Sequence, residues 1–452
     1  MLTNTFSPAL WLIEQEALAL LTRLARLQPF ALHMPMVAAA TVSLAAQQAI
    51  EQHMLGARQK LQSMVVEFID WLQDAAEKEV AAAEAQSRFT FVRLRFNSLI
   101  SQFDIFADVL AQRSEHETGV WIAGLDYVAT DALRLPNNYY QIPPIACYLD
   151  RGHGAAIRRI KTRLPGGDQN PVAIIRVPRE RMVGSGISSS LVHEVGHQAS
   201  ALLNLINSLR PVLRQQQKED PQSKMAWQLL ERWISEIIAD FWSVAKVGIA
   251  APLGLMAVVS LPRPFVFRIS LDDPHPVPWI RVKLSCGMGN ALYPHPQWQR
   301  LASLWEQLYP TDNLEKEKQH VLKLLEATIP RFAALLVKHR PKSLQGRSLQ
   351  EVLAEKERHP SYLSAYYQKW KGSLQQMQSA APTFVFATVG QARMDGEISP
   401  EQEGQILSKL LTYWATYSSL SNSAACAEAL SPLHPLQKTF QPTLLNQGGL
   451  YV

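Results

Sequence analysis

Leu191-Val192-His193-Glu194-Val195-Gly196-His197 reads His-Glu-x-x-His inside a stretch with helical character. Two histidines four residues apart lie one turn apart on one helical face, so both imidazoles can reach a single metal ion. Glu194, next to the first histidine, is then placed to handle the proton of a metal-bound water. This is the minimal zinc-hydrolase arrangement. A catalytic zinc takes three protein ligands and keeps one position for water, so the rest of the chain must supply a third ligand.

Upstream, Ile145-Ala146-Cys147-Tyr148-Leu149 is a short strand candidate and Ala155 to Arg163 reads as a helix, ended by Pro165-Gly166-Gly167-Asp168. Val172-Ala173-Ile174-Ile175-Arg176-Val177 is rich in β-branched residues and reads as a second strand. Gly184-Ser185-Gly186 is a loop, and one of Ser188 to Ser190 caps the metal helix. No Gly-Lys-Ser/Thr follows that loop, so it is not a phosphate cradle. The expected order is strand, helix, strand, loop, metal helix.

Downstream, the metal helix is expected to continue through Leu202, Leu205 and Leu209 to Pro211. Asp220 with Pro221 marks a helix start, aspartate as N-cap and proline at the first helical position, and that helix runs to about Val247. It carries Glu236-Ile237-Ile238-Ala239-Asp240. Glu236 supplies the third ligand if its helix packs against the metal helix. Asp240, one turn on, can accept a hydrogen bond from the free nitrogen of a ligand histidine. The alternative is that both carboxylates lie on a solvated helix face. They sit among Trp233, Ile234, Ile237, Ile238, Phe241 and Trp242, and buried carboxylates need a partner or a metal.

A His-Glu-x-x-His helix followed by a helix with Glu-x-x-Ala-Asp resembles the gluzincin zinc metallopeptidases. It is similar in particular to the branch that includes the CAAX-prenyl endopeptidases and related quality-control peptidases. The resemblance covers roughly residues 145–285. It implies zinc bound by His193, His197 and Glu236, with Glu194 as general base. It also implies an exposed edge strand, N-terminal to the metal helix, that pairs with an extended substrate; Val172 to Val177 holds that place. His275-Pro276-Val277-Pro278-Trp279-Ile280-Arg281-Val282 resembles the His-Pro segment of that branch, with an arginine five residues after the proline. There His275 would face the open zinc position and stabilise the oxyanion. The alternative is an ordinary surface histidine in a proline-rich loop, and Tyr293 and His295 are further candidates for the same role.

The membrane relatives have spanning helices. The best candidate here, Val247 to Pro262, is sixteen residues long and contains Gly248, Pro252 and Gly254, so it reads as a buried helix pair. No membrane span is expected. The N-terminus lacks a basic leader and carries Glu14 and Glu16 in its apolar stretch, so the expected location is cytoplasmic. Cys147, Cys286 and Cys426 are odd in number and far apart, which fits neither a disulfide framework nor a Cys-x-x-Cys metal site.

At 452 residues, 47% hydrophobic and 18% charged, the chain has an ordinary globular composition. A formal charge of +5 and a pI near 9.0 are too mild to imply nucleic acid. Arg151, Arg158, Arg159, Lys161, Arg163, Arg176, Arg179 and Arg181 cluster before the metal helix, against Asp168 and Glu180 alone. They read as a solvated surface; the alternative is a cleft flank favouring acidic substrates or nucleic acid.

Ile50, Met54, Leu61, Val65, Phe68 and Leu72, then Phe89, Phe96, Ile100, Phe103 and Leu110, recur at helical spacings and read as core stripes. After Pro262 a partly extended region is expected to about Trp298, then helices over 301–380. A capping box at Ser399-Pro400-Glu401-Gln402 opens a last helix, and an irregular tail follows from Leu430. Asp395-Gly396-Glu397 is a turn, because the other calcium-loop positions are missing.

The fold class expected is mainly α with a small β-sheet, a zincin-like core flanked by helical regions. The divisions are a helical bundle over 1–115, the core over 116–300 and a C-terminal helical region over 301–452. The function expected is zinc-dependent endopeptidase acting on a protein or peptide. The alternatives are a helical scaffold or sensor with a structural or vestigial zinc site, and a zinc hydrolase acting on a non-peptide amide.

Overall fold

The computed structural model describes residues 7–430 except 78–79, 152–153, 179–183, 271–272 and 372. Beyond Leu430, the expected tail lies outside the described residues, as do Arg179, Glu180 and Arg181. The fold is mainly helical with a small three-stranded mixed sheet.

The chain opens with α1 (Pro8–Arg26), α2 (Phe30–His33), α3 (Leu44–Glu77), α4 (Ala82–Ala111) and α5 (His116–Leu133). Ser7 caps α1 and Pro8 occupies its first turn. Leu10, Ile13, Ala17, Leu20 and Leu24 then fall on one buried face. The Ile50-to-Leu72 stripe of α3 and the Phe89 and Phe96 stripe of α4 meet this face in one apolar cluster. The sheet follows, with β1 (Ile145–Asp150), β2 (Ala156–Arg158) and β3 (Ala173–Pro178).

The remaining helices are α6 (Ser185–Leu202), α7 (Leu205–Glu219), α8 (Lys224–Arg232), α9 (Ile234–Val247), α10 (Ala250–Val259), α11 (Arg263–Val266), α12 (Pro278–Leu292) and α13 (Pro296–Leu308), then α14 (Lys316–Lys338), α15 (Leu349–Leu353), α16 (Pro360–Trp370), α17 (Leu374–Gln378), α18 (Pro382–Met394) and α19 (Pro400–Leu430). An apolar core continuous from Ile122 to Trp414 joins α5 to α19. Helix α6 lies inside it, packed on by α5, α9 and α10. Among the described residues no helix is long and apolar enough to cross a membrane.

The strand order is β1-β3-β2, with β3 parallel to β1 and antiparallel to β2. Successive side chains of a strand point to opposite faces. Cys147, Ile175 and Val177 therefore enter the core shared with α5 and α6, while Ala146, Val172 and Ile174 enter the core of the N-terminal helices. The Val172 to Val177 segment is thus the central strand, buried on both faces, and not the exposed edge expected for it.

Five other expectations are corrected. Residues Ala155 to Arg163 form no helix; Ala156–Arg158 is the edge strand β2, paired with β3, and Lys161 turns the chain at φ 62°. Pairing with β3 outweighs the local helix propensity of the alanines, arginines and lysine in this stretch. The metal helix stops at Leu202, because Asn204 adopts the left-handed conformation, and α7 restarts with Pro211 inside it. Its N-terminus is Ser185, preceded by Gly184 at φ 54°, so Ser188 to Ser190 lie within the helix. The region to Trp298 is largely helical: Pro278 and Pro296 sit in the first turns of α12 and α13, where a missing N–H is harmless. The Val247 to Pro262 stretch holds one helix, α10, after Gly248 ends α9 at φ 57°.

Two helix starts appear as read. Asp220 accepts a hydrogen bond from Ser223 N–H at 3.2 Å, although the helix it opens breaks at Trp233 into α8 and α9. Ser399 and Gln402 exchange the two capping-box bonds, at 2.8 and 3.2 Å.

Candidate metal centre

Helices α6 and α9 cross where Gly196 meets Ala239. A Cβ on Gly196 would lie 2.8 Å from Ala239 Cα and 2.9 Å from its carbonyl oxygen. Only glycine at 196 permits this approach to the α9 backbone. The contact brings the His193 and His197 face of α6 against the Glu236 and Asp240 face of α9. Every residue of α9 except Ser235 is buried, so the solvated-face alternative for the two carboxylates does not hold. The signal was present in the sequence, a glycine inside the histidine run and an alanine inside the carboxylate run.

His193, His197 and Glu236 form a group whose ligand atoms all lie within 4.8 Å of one another. His193 Nε2 is 3.2 Å from Glu236 Oε2, and His197 Nε2 is 3.5 Å from Glu236 Oε1. Two atoms each about 2.1 Å from a tetrahedral zinc stand about 3.4 Å apart, so these spacings suit a shared cation. Glu236 Oε2 is also buried and makes no hydrogen bond of good geometry, with His193 Nε2 at 3.2 Å and His275 Nε2 at 3.3 Å. A buried carboxylate oxygen without a good hydrogen bond is costly, and a metal ion would satisfy it. The donor set of two imidazoles and one carboxylate fits zinc.

Behind the ligands runs a second layer. Asp240 Oδ1 is 2.8 Å from His193 Nδ1, which leaves Nε2 to face Glu236. Arg281, from α12, grips the same carboxylate through Nε at 2.7 Å and a terminal nitrogen at 2.9 Å. Sequence reading noted this arginine only as a spacing marker. Its fork geometry and its reach across to α9 emerge from the packing. Ser235 Oγ lies 3.4 Å from His197 Nδ1. Glu194 is buried on α6 beside His193, at 8% exposure.

His275 arrives from the loop before α12. Its Nε2 is 3.3 Å from Glu236 Oε2, and its Nδ1 is 2.8 Å from Asp273 Oδ1. Asp273, another residue that sequence reading missed, thereby fixes which nitrogen faces the site. Tyr293 and His295 are elsewhere. Tyr293 donates to the Ala245 carbonyl at 2.9 Å inside the core, and His295 caps α13 and packs edge-on against His359.

The charges are strongly coupled. Burial opposes ionisation of Asp240, but Arg281 and His193 hold its pKa at about 2. Burial likewise opposes ionisation of Glu236, yet the two imidazoles hold it well below the usual carboxylate range. For His193, burial favours the neutral ring, but Asp240 and Glu236 outweigh it and raise the pKa to about 9.

The folded value for His193 lies above the unfolded one. The protonated ring therefore stabilises the metal-free protein fully below about pH 6.5, and this is lost as pH rises through about 9. We expect metal-free protein to lose about 3 kcal/mol between about pH 6 and 10 in urea unfolding. Zinc should reverse the trend, because the metal takes the unprotonated ring. A flat metal-free profile would sink this description of His193.

No family model, no curated protein and no solved structure matches this chain. What stands without them is the geometry: two histidines and a glutamate buried together that could hold a metal ion.

Proposed function

We propose that the protein is a zinc-dependent peptidase of gluzincin type, with zinc held by His193, His197 and Glu236. The observation that carries the reading is the buried convergence of His193, His197 and Glu236 at metal-ligand spacing, with Glu194 one residue from His193. A zinc ion held there would lower the pKa of a bound water and polarise a peptide carbonyl.

The chain's own residues do the rest. Glu194 takes the proton of the attacking water and passes it to the leaving amine. His275, whose Nδ1–H goes to Asp273, would stabilise the oxygen that gains charge only as an imidazolium, with its second proton on Nε2. Arg281 and Asp240 fix His193 in the tautomer that presents Nε2. Substrate pairs with the free edge of β2, the edge strand that packs against α6.

A second reading, a helical scaffold with structural zinc, has one observation in its favour. His275 also stands at ligand spacing from Glu236, and a fourth protein ligand closes a site to water.

The test is metal content by mass spectrometry together with cleavage of a broad set of unstructured peptides, before and after chelation and zinc return. The peptidase reading expects about one zinc per chain, loss of cleavage on chelation and its recovery with zinc. Absence of any transition metal after mild purification ends both readings. Bound zinc without cleavage leaves the scaffold.

A further inference from the structure

We propose that the arginine-lined groove between β2 and α4 selects extended peptides carrying acidic side chains; this rests on the peptidase reading above and names its substrate class.

The groove encloses about 520 Å³ and is lined by Arg158, Arg159, Arg163 and Arg176, with Tyr148 and Asp108 among its other walls. Among the described residues, Arg176 lies 3.6 Å from Asp150, and no carboxylate comes within ion-pair distance of Arg158, Arg159 or Arg163. Among the described residues, three arginines thus line one concavity with no ion pair of their own, Asp108 being the carboxylate in the wall.

The place of the groove gives this charge a use. Strand β2 pairs with β3 on one side, and at its end Ile160 N–H donates to Gln198 Oε1 at 3.0 Å. Gln198 directly follows His197. A peptide added to the other side of β2 would then lie along a strand that packs on α6, the helix that carries His193 and His197. Its side chains would alternate between the two faces of the sheet. Arg158 is paired with Ile174, and Arg176 with Ala156, on the face turned towards α4. Every second residue of the added peptide would meet these arginines, and a guanidinium recognises a carboxylate by a two-point fork.

Nucleic acid fits less well. Asp108 and Asp150 bring negative charge into and beside the groove, the one aromatic lining it is the partly buried Tyr148, and the chain's charge of +5 is small for its length.

The test uses the full chain carrying Glu194→Gln, so that peptides are bound and not consumed. Fluorescence anisotropy would compare an extended peptide with glutamate at alternate positions against its glutamine counterpart. Tighter binding of the acidic peptide by about tenfold at low salt is expected, falling as salt is raised. Arg158→Ala with Arg163→Ala should erase that difference by weakening the acidic peptide more than the glutamine peptide, while lysine at both positions should keep part of it. Equal affinity for the two peptides, or a preference untouched by the arginine changes, overturns the proposal. So does a single-stranded oligonucleotide that binds more tightly and displaces the acidic peptide. The two readings fail separately. If the unmutated chain cleaves both peptides with the same KM, the groove proposal falls and the peptidase stands. If it cleaves neither while the binding difference persists, the peptidase falls and the groove stands as a binding surface alone.

Discussion

Glu194→Gln is expected to hold zinc at the wild-type ratio and to hydrolyse peptides about 10³-fold more slowly or worse. A general base contributes about 10²–10⁴ in rate, and here the same group must also return the proton. The amide has the shape of the carboxylate but cannot accept a proton. Glu194 is not in the group of side chains that converges on Glu236, so metal content should not change. Mass spectrometry of the metal and progress curves on one good peptide decide the matter. Lost zinc would make Glu194 a ligand. Retained activity would place the base elsewhere. If the wild type is as inactive as the variant, the structural-zinc reading gains.

Asp240→Ala should destabilise the metal-free protein by about 3 kcal/mol, because it strands the largely buried guanidinium of Arg281, whose side chain is 14% exposed. It should also weaken zinc binding about 10–100-fold, since His193 loses the group that fixes its ring. The two effects separate in the double variant Asp240→Ala with Arg281→Met. Removing the stranded charge should restore much of the stability but none of the zinc affinity. Urea unfolding reads the first quantity and competition with a chromophoric chelator the second. If the double variant recovers both, Asp240 matters only through Arg281. If neither changes in the single variant, the carboxylate has no positioning role.

The metal group was legible because its chemistry is written in local spacing. Four residues make one turn, so the relation of His193 to His197, and of Glu236 to Asp240, needs no tertiary knowledge. What joins the two helices was written less plainly, in Gly196 and Ala239, whose meaning is a distance between segments. The Asp220 and Ser399 starts were legible for the same local reason: a side chain reaches a backbone N–H three residues on. The sheet was not. Whether Val172 to Val177 is an edge or a centre depends on where β2 goes, and the alanines, arginines and lysine of Ala155 to Arg163 locally favour helix over the strand that pairing imposes. Prolines misled in the opposite sense. Pro278 and Pro296 mark helix starts as readily as breaks, and only the downstream packing of α12 and α13 distinguishes the two.

The crossing of Gly196 over Ala239 bears on which metal the protein can choose. Intrinsic affinity for nitrogen and oxygen donors rises along the first transition row to copper, so a pliable site in a cell takes the strongest binder on offer. A frame with backbone against backbone has little room to open or shear. His193, His197 and Glu236 stand at the spacing of a tetrahedron's edge and, with a metal bound as proposed, would resist being drawn into the square plane that copper(II) favours. The smallest side chain in the motif would then act as a filter against the wrong ion.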